Sequence, residues 1–423
     1  MVNIKKLSNG ITVVLEEMSY LRSTAFGVWV KVGSANEDKS NNGISHMIEH
    51  MLFKGTKSRT AKQIADDMAR IGGNINAFTS KECTSYYATT LDSHLPIAID
   101  IISDMLLNST ISEKELTKEK GVIIEEIDMY DDSPEDLAHE MLQKNVWREH
   151  PLGYLISGDK ETVRSITREQ ILDFIDKYYV ASNIVISIAG NYNEEEVLQL
   201  LENSFGSIPV GEPSKRVSIP VYNRSLYSKN KDIEQIHLNI AYDSIDYNSE
   251  DKYALAIVNS ILGGSINSRL FQNIRENHGL TYSIYSYGSS YKDAGLFHIY
   301  AAMNPTQTEV VFDKIFEVIE EMKREGVTEE ELAQTKEQIK TELIISSEST
   351  KSRMNGNGKS MMNRGRVILL DETIERVNAV TRDDIIRYLN QYYNSNMCSI
   401  SLVGNLDEIN LERIKEKWNN LSE

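Results

Sequence analysis

Residues 166–191 read ITREQILDFIDKYYVASNIVISIAGN, and residues 380–405 read VTRDDIIRYLNQYYNSNMCSISLVGN. The two stretches align without a gap. Thr-Arg opens a helical pattern in each, Tyr-Tyr closes it at Tyr178-Tyr179 and Tyr392-Tyr393, and an alternating strand ends in Gly-Asn at Gly190 and Gly404. A charged helical run follows both, EEEVLQLLENSF after the first and DEINLERIKEKW after the second. Helix, strand, helix, repeated about half a chain apart, predicts a duplicated domain.

Outward from the repeat, residues 206–230, GSIPVGEPSKRVSIPVYNRSLYSKN, gather three of the seven prolines with Gly and Ser, the composition of a linker. The expected domains are therefore 1–212 and 231–423, joined by 213–230. Strand-like runs (TAFGVWVKVGS, YYATTLDS, IHLNIAYDS, GLFHIYAAM) alternate with longer helical runs such as KQIADDMARIG and EVVFDKIFEVIEEMKREG. That order predicts an α+β class: two similar domains from a tandem duplication, each an antiparallel sheet with helices packed on one face.

A chain of 423 residues exceeds one ordinary core, which fits two domains, and its 40% apolar and 26% charged residues are those of a globular protein. No stretch reads as a membrane span. The apolar run before Glu16 is too short for a signal-peptide core and reads as a strand. Cys83 and Cys398 have no CxxC partner, so neither a disulfide framework nor a thiolate metal site is expected, and a reducing cytoplasm fits best. The net charge of −18 argues against nucleic acid. Solubility and an acidic cavity that attracts basic peptides both remain open as its meaning.

Between Gly43 and Thr56 the chain reads GISHMIEHMLFKGT. On a helix, positions four apart differ by about 40° of rotation, so His46 and His50 project side by side one turn apart. Two imidazoles can then share one ion. Zinc suits such a pair, being borderline-soft and tetrahedral, and leaves coordination positions for a carboxylate and a water. Glu49 lies on the same side, placed to take a proton from that water, whose pKa a metal lowers toward about 7. The order H-x-x-E-H reverses the commoner H-E-x-x-H and still keeps all three groups on one face. Alone, the five residues also suit a helix with two core or surface histidines.

A third ligand has to come from elsewhere, and residues 113–130, EKELTKEKGVIIEEIDMY, offer a helix. Glu119 and Glu126 share one of its faces, whereas Glu125 points away. Gly121 costs such a helix about 1 kcal/mol relative to Ala, which predicts a second backbone packed closely there. By spacing alone, each of these glutamates also reads as a solvated charge paired with Lys118 or Lys120. The stretch GNGKS at 356–360 lacks the earlier glycine of a phosphate loop, Arg353 standing in its place.

Taken together, the chain resembles the M16 peptidases, the inverted zincins of the pitrilysin and mitochondrial processing peptidase family, and in particular their short bacterial members. The likeness runs from GISHMIEHMLFKGT through GGNINAFTSKECTSYY (72–87) and EKGVIIEEI (119–127). It continues in LGGSINSRLFQNIRENHGLTYSIYS (262–286) and SSESTKSRM (346–354), so it spans essentially the whole chain.

The resemblance implies a zinc-dependent endopeptidase with one zinc per chain, ligated by His46, His50 and Glu126, with Glu49 as general base and Glu119 as a nearby catalytic carboxylate. It implies that the strand around Asn76, Ala77 and Phe78 receives the substrate as an added β-strand. It also implies that Arg275 and Tyr282 bind substrate and support oxyanion charge. Read from the residues alone, Arg275 also suits a helix C-terminus at His278-Gly279, and Tyr282 a plain strand position.

Processing-peptidase relatives recognise arginine near the cleavage site through acidic side chains, and Asp132 and Asp136 occupy the matching positions. Without the resemblance, that stretch is a solvated acidic turn around Pro134. Setting YALAIVNSILGG against SHMIEHMLFKGT puts Ala254, Ile257 and Val258 where His46, Glu49 and His50 stand, so the second half is expected to be a substrate wall without metal.

Larger relatives carry four such domains in one chain. By that analogy a homodimer restores four and sets the metal of one subunit against the partner subunit's Arg275 and the partner subunit's Tyr282. Unfolded peptides or presequence-like oligopeptides, taken into a closed chamber, are the expected substrates. A non-catalytic assembly or peptide-binding subunit is the alternative, since some relatives keep the fold and lose the motif.

Overall fold

In the computed structural model, the strand Ser23–Val30 is buried along seven of its eight residues, as its apolar sequence STAFGVWV requires of a strand covered on both faces. Phe26, Val28 and Val30 point into one large core, while Ala25 and Trp29 point the other way into smaller clusters. The structure describes residues 2–214 and 218–421, so residues 215–217 of the expected linker lie outside the described residues.

The chain divides into two units. The first comprises Met1–Asp128, Tyr154–Val217 and Ile344–Leu369, and the second Met129–Gly153, Ser218–Leu343 and Leu370–Glu423. The first unit is built on β1 (Val2–Lys6), β2 (Thr12–Glu17), β3 (Ser23–Val30), β4 (Asn74–Thr79), β5 (Thr84–Leu91) and β6 (Ile184–Gly190). Their order is β1-β2-β6-β3-β5-β4, antiparallel except for the parallel pair of β2 with β6.

The second unit holds β7 (Leu226–Asn230), β8 (Ile236–Ser244), β9 (Thr281–Ser290), β10 (Gly295–Met303) and β11 (Cys398–Gly404). They run β7-β11-β8-β10-β9, with β11 parallel to β7. From β2 to β4 and from β7 to β9 the two orders coincide. The repeated stretches supply β6 and β11, and β4 corresponds to β9 as an edge strand.

Helices α1 (Ile44–Leu52), α2 (Ala61–Arg70), α3 (Leu95–Asn108) and α4 (Glu113–Asp132) lie in the first half of the chain and, α4 as far as Asp128, in the first unit. Met47 and Ile48 of α1, Ile99 and Ile102 of α3 and Ile123 of α4 fill the main core with the inward side chains of β3. Helix α5 (Pro134–Val146) follows α4 and belongs to the second unit.

The expectation of helices on one face needs correction. Helix Thr350–Arg364 from the second half packs on the other face of the first sheet, where a Cβ on Gly27 would run into Met354 and one on Gly358 into the Trp29 indole. Helix α5 from the first half does the same in the second unit, with Leu137 and Ala138 against Val403. The physical reason lies in strands such as β3, whose second face carries Ala25 and Trp29 and has to be withdrawn from water. Gly121 is a second correction: nothing lies within 4 Å of where its Cβ would stand. No described helix is long and apolar enough to cross a membrane, and both cysteines are buried and free.

Candidate metal centre

Helix α1 begins at Gly43, whose φ of +96° is left-handed and whose Cβ would stand 2.7 Å from the Ser157 carbonyl oxygen, so glycine suits this entry on both counts. The first backbone donors of the helix meet a buried carboxylate. Glu37 accepts from the Gly43 N–H at 2.7 Å, the Ser45 N–H at 2.9 Å and Asn42 Nδ2 at 2.9 Å. Burial raises the Glu37 carboxyl above its usual range while these hydrogen bonds oppose the shift. The cap holds the helix that carries the histidines.

One turn apart on α1, the rings of His46 and His50 stand 4.6 Å between centroids at 69°. Glu126 of α4 faces both, its Oε2 lying 3.8 Å from His46 Nε2 and 3.7 Å from His50 Nε2. Each of the three residues offers one ligand atom within 4.8 Å of the others, and no other such group of three occurs among the described residues. Ligand atoms sharing a tetrahedral zinc at about 2 Å stand roughly 3.4 Å apart, so the spacing fits that ion. Burial, helped by the neighbouring His50, lowers the His46 pKa to about 4, which leaves a neutral imidazole able to donate its lone pair.

Glu49 stands beside this group and reaches the edge strand. The Thr79 hydroxyl, on the last residue of β4, donates to Glu49 Oε2 at 2.5 Å. Burial raises the Glu49 carboxyl, and the Thr79 hydrogen bond is the largest opposing influence. Along β4, the Ala77 N–H donates to the Asn76 side-chain oxygen at 2.8 Å, and Phe78 packs edge-on against Trp29 at 5.5 Å. On its other side β4 pairs with β5.

Glu119, only 4% exposed, lies behind His50. Its Oε2 is 3.1 Å from His50 Nδ1 and its Oε1 is 2.8 Å from Lys54 Nζ. Glu125 is exposed on the far side of α4. Thr79, Lys54 and Glu37 drew no notice in the sequence: Thr79 and Lys54 act through partners far along the chain, Glu49 and Glu119, and Glu37 acts through the irregular turn that leads into α1.

The remaining expected site residues belong to the second unit. Arg275 lies in the last turn of the π-helical segment Phe271–Glu276, its guanidinium 4.5 Å from the Phe271 ring centroid and 5.0 Å from that of Tyr282. Tyr282 is 78% exposed on β9, so the structure brings this pair together at a surface. Asp132 closes α4 and Asp136 lies in the first turn of α5, both exposed, with Lys231 3.7 Å from Asp132.

Three histidines far apart in the sequence, His139, His237 and His298, meet on the second sheet. His139 of α5 contacts Tyr285 at 3.1 Å, Tyr287 at 2.9 Å and Asn239 at 2.8 Å. His298 stacks on Tyr287, and His237 bonds the Tyr300 hydroxyl.

Comparison with known proteins matches the chain to family models over both of its halves. The model described as insulinase, peptidase family M16, matches residues 12–160, and that of the peptidase M16 inactive domain matches residues 165–339. In the second stretch, helix Lys252–Leu262 carries Ala254, Ile257 and Val258, all buried in the core.

The uncharacterized zinc protease YmxG of Bacillus subtilis is 41% identical over 400 residues, covering 94% of this chain and 98% of that protein. An uncharacterized zinc protease of Rickettsia felis is 38% identical over 394 residues, covering 93% and 95%. Among solved structures, a protease from Helicobacter pylori superimposes with TM-score 0.90 at 23% identity, covering 96% of this chain and 99% of that one. A peptidase M16 inactive domain from Pseudomonas fluorescens gives 0.89 at 21%, covering 96% and 98%; at such identities both show the fold. With family models over both halves and relatives along nearly its whole length, the chain belongs to peptidase family M16, as a member of its short bacterial kind.

Proposed function

We propose that the chain is a zinc-dependent endopeptidase that hydrolyses unfolded peptides or presequence-like oligopeptides. The observation that carries this reading is the convergence of His46, His50 and Glu126 beside a Glu49 tied to an edge strand. The names of the relatives, zinc proteases, point the same way. Zinc held by those residues supplies a Lewis acid for the scissile carbonyl and makes water more acidic.

The chain's own residues do the rest. The outer edge of β4, at Asn76, Ala77 and Phe78, binds the peptide as an added strand. Glu49 takes the proton of the attacking water and returns it to the leaving amine. Glu119 supports the centre from behind His50. Arg275 and Tyr282 donate to the oxyanion, in a homodimer from the facing subunit. Asp132 and Asp136 favour basic side chains in the substrate. The duplicated copies run 1–212 and 231–423, and the protein works in the cytoplasm, with a closed chamber admitting peptides.

The test compares wild type with Glu49→Gln for zinc content and for cleavage of a mixed set of quenched peptides. About one zinc per chain in both, with cleavage by wild type alone, supports the reading. Zinc in both and cleavage by neither favours an assembly or peptide-binding subunit instead.

A further inference from the structure

Glu119 is among the most deeply buried carboxylates of the first unit, and its two oxygens are used separately. Oε2 faces His50 Nδ1 at 3.1 Å and Oε1 faces Lys54 Nζ at 2.8 Å. Lys54 comes just after α1, its own N–H donating to the Met51 carbonyl at 3.1 Å, so the turn that ends the helix delivers the ammonium to α4. A carboxylate can only accept, so His50 Nδ1 carries the proton, and the lone pair is on Nε2, the nitrogen 3.7 Å from Glu126.

A buried carboxylate held by the histidine alone would lack a partner on its second oxygen and a counter-charge. It would also be free to rotate. Lys54 removes all three problems, since its ammonium supplies the charge, pins Oε1 and thereby aims Oε2 at the ring.

We propose that Lys54 is a positioning residue of the metal centre: through Glu119 it fixes the tautomer and ring orientation of His50, and so sets the affinity for zinc. The proposal rests on the metal reading above. Outer partners of metal-bound histidines typically change affinity by about 10- to 100-fold, and Lys54 acts one bond further out.

The experiment is zinc affinity, read by competition with a chromogenic chelator at one fixed pH, on the purified full chain. Lys54→Met and Lys54→Gln are each expected to weaken zinc binding about tenfold or more, while Lys54→Arg keeps it within about threefold. Glu119→Gln weakens binding too, and adding Lys54→Met to it costs little further, because the lysine acts through that carboxylate. Replacing zinc with cobalt(II) gives a second readout, a visible spectrum altered in Lys54→Met and restored in Lys54→Arg.

Unchanged affinity in both neutral variants overturns the proposal, as do losses that multiply in the double variant. Should wild type itself fail to bind zinc, the metal reading falls and this inference falls with it. Tight zinc binding by wild type without peptide cleavage removes the peptidase reading alone.

Discussion

Thr79 is the residue on which the edge strand and the catalytic candidate meet. Its hydroxyl gives Glu49 a donor at 2.5 Å, and its main chain is the end of β4. A base free to rotate loses part of its contribution, which for general bases is typically 10²- to 10⁴-fold. Thr79→Val is therefore expected to lower kcat by about 10-fold or more at nearly unchanged KM and zinc content, with Thr79→Ser retaining most activity. Equal kcat in Thr79→Val and wild type would remove the hydroxyl from the reaction. The pairing of His46 with His50 was legible from helical periodicity, whereas Glu126 was picked out by the family resemblance, its spacing alone leaving it open. Thr79 was legible in neither way, because its partner stands 30 residues away in sequence and only the fold brings strand end and helix together.

At the level of elements, periodicity carried α4 well and misjudged its glycine. Gly121 was expected to admit a close neighbour, yet it is exposed and its Cβ position is empty. Its helical backbone carries no positive φ, so Gly121→Ala should raise stability by roughly 0.5–1 kcal/mol, read as a higher urea midpoint. Any loss of stability would show that the position has a neighbour after all. The sequence was equally silent on the histidines around α5, since residues 139, 237 and 298 are separated by whole strands.

Burial holds those three below the ordinary histidine range, His298 to about 3. The unfolded chain takes up protons below about pH 6.5 that folded His298 refuses. Protonation then favours unfolding, so this group's contribution lowers stability as the pH falls from about 6.5 toward 3. Facing it are His139, Tyr287 and Asn239; Glu135 and Asp136 push His139 the opposite way, and Glu37, Glu49 and Asp243, raised by burial, also act with the opposite sign. The clean measurement is a difference: His298→Phe, which keeps a flat ring on Tyr287, should flatten the decline of the urea midpoint between pH 7 and pH 5. An identical decline in both proteins would contradict the shift.

On the scale of the molecule, the repeat made the two-fold architecture readable, but it concealed that the halves exchange helices. Residues 344–369 serve the first unit and residues 129–153 the second, and no local pattern says which sheet an amphipathic or glycine-bearing helix will cover. In the first unit that cover hides Met18, Ala25, Trp29 and Tyr87 beneath Met354 and Met362. An isolated fragment of residues 1–217 would present this face to water. At about 25 cal/mol per Å² of apolar surface, a few hundred Å² left bare forfeits several kcal/mol, comparable to the whole stability of a typical domain. Fragment 1–217 produced alone should therefore lack a cooperative thermal transition and bind zinc poorly. Coexpressed with 218–423 it should copurify as a complex, melt cooperatively and recover zinc binding, because the break falls at the linker and spares the helix Thr350–Arg364. A fragment 1–217 that melts cooperatively and binds zinc as the full chain does would show that the exchanged helix is dispensable to the metal centre.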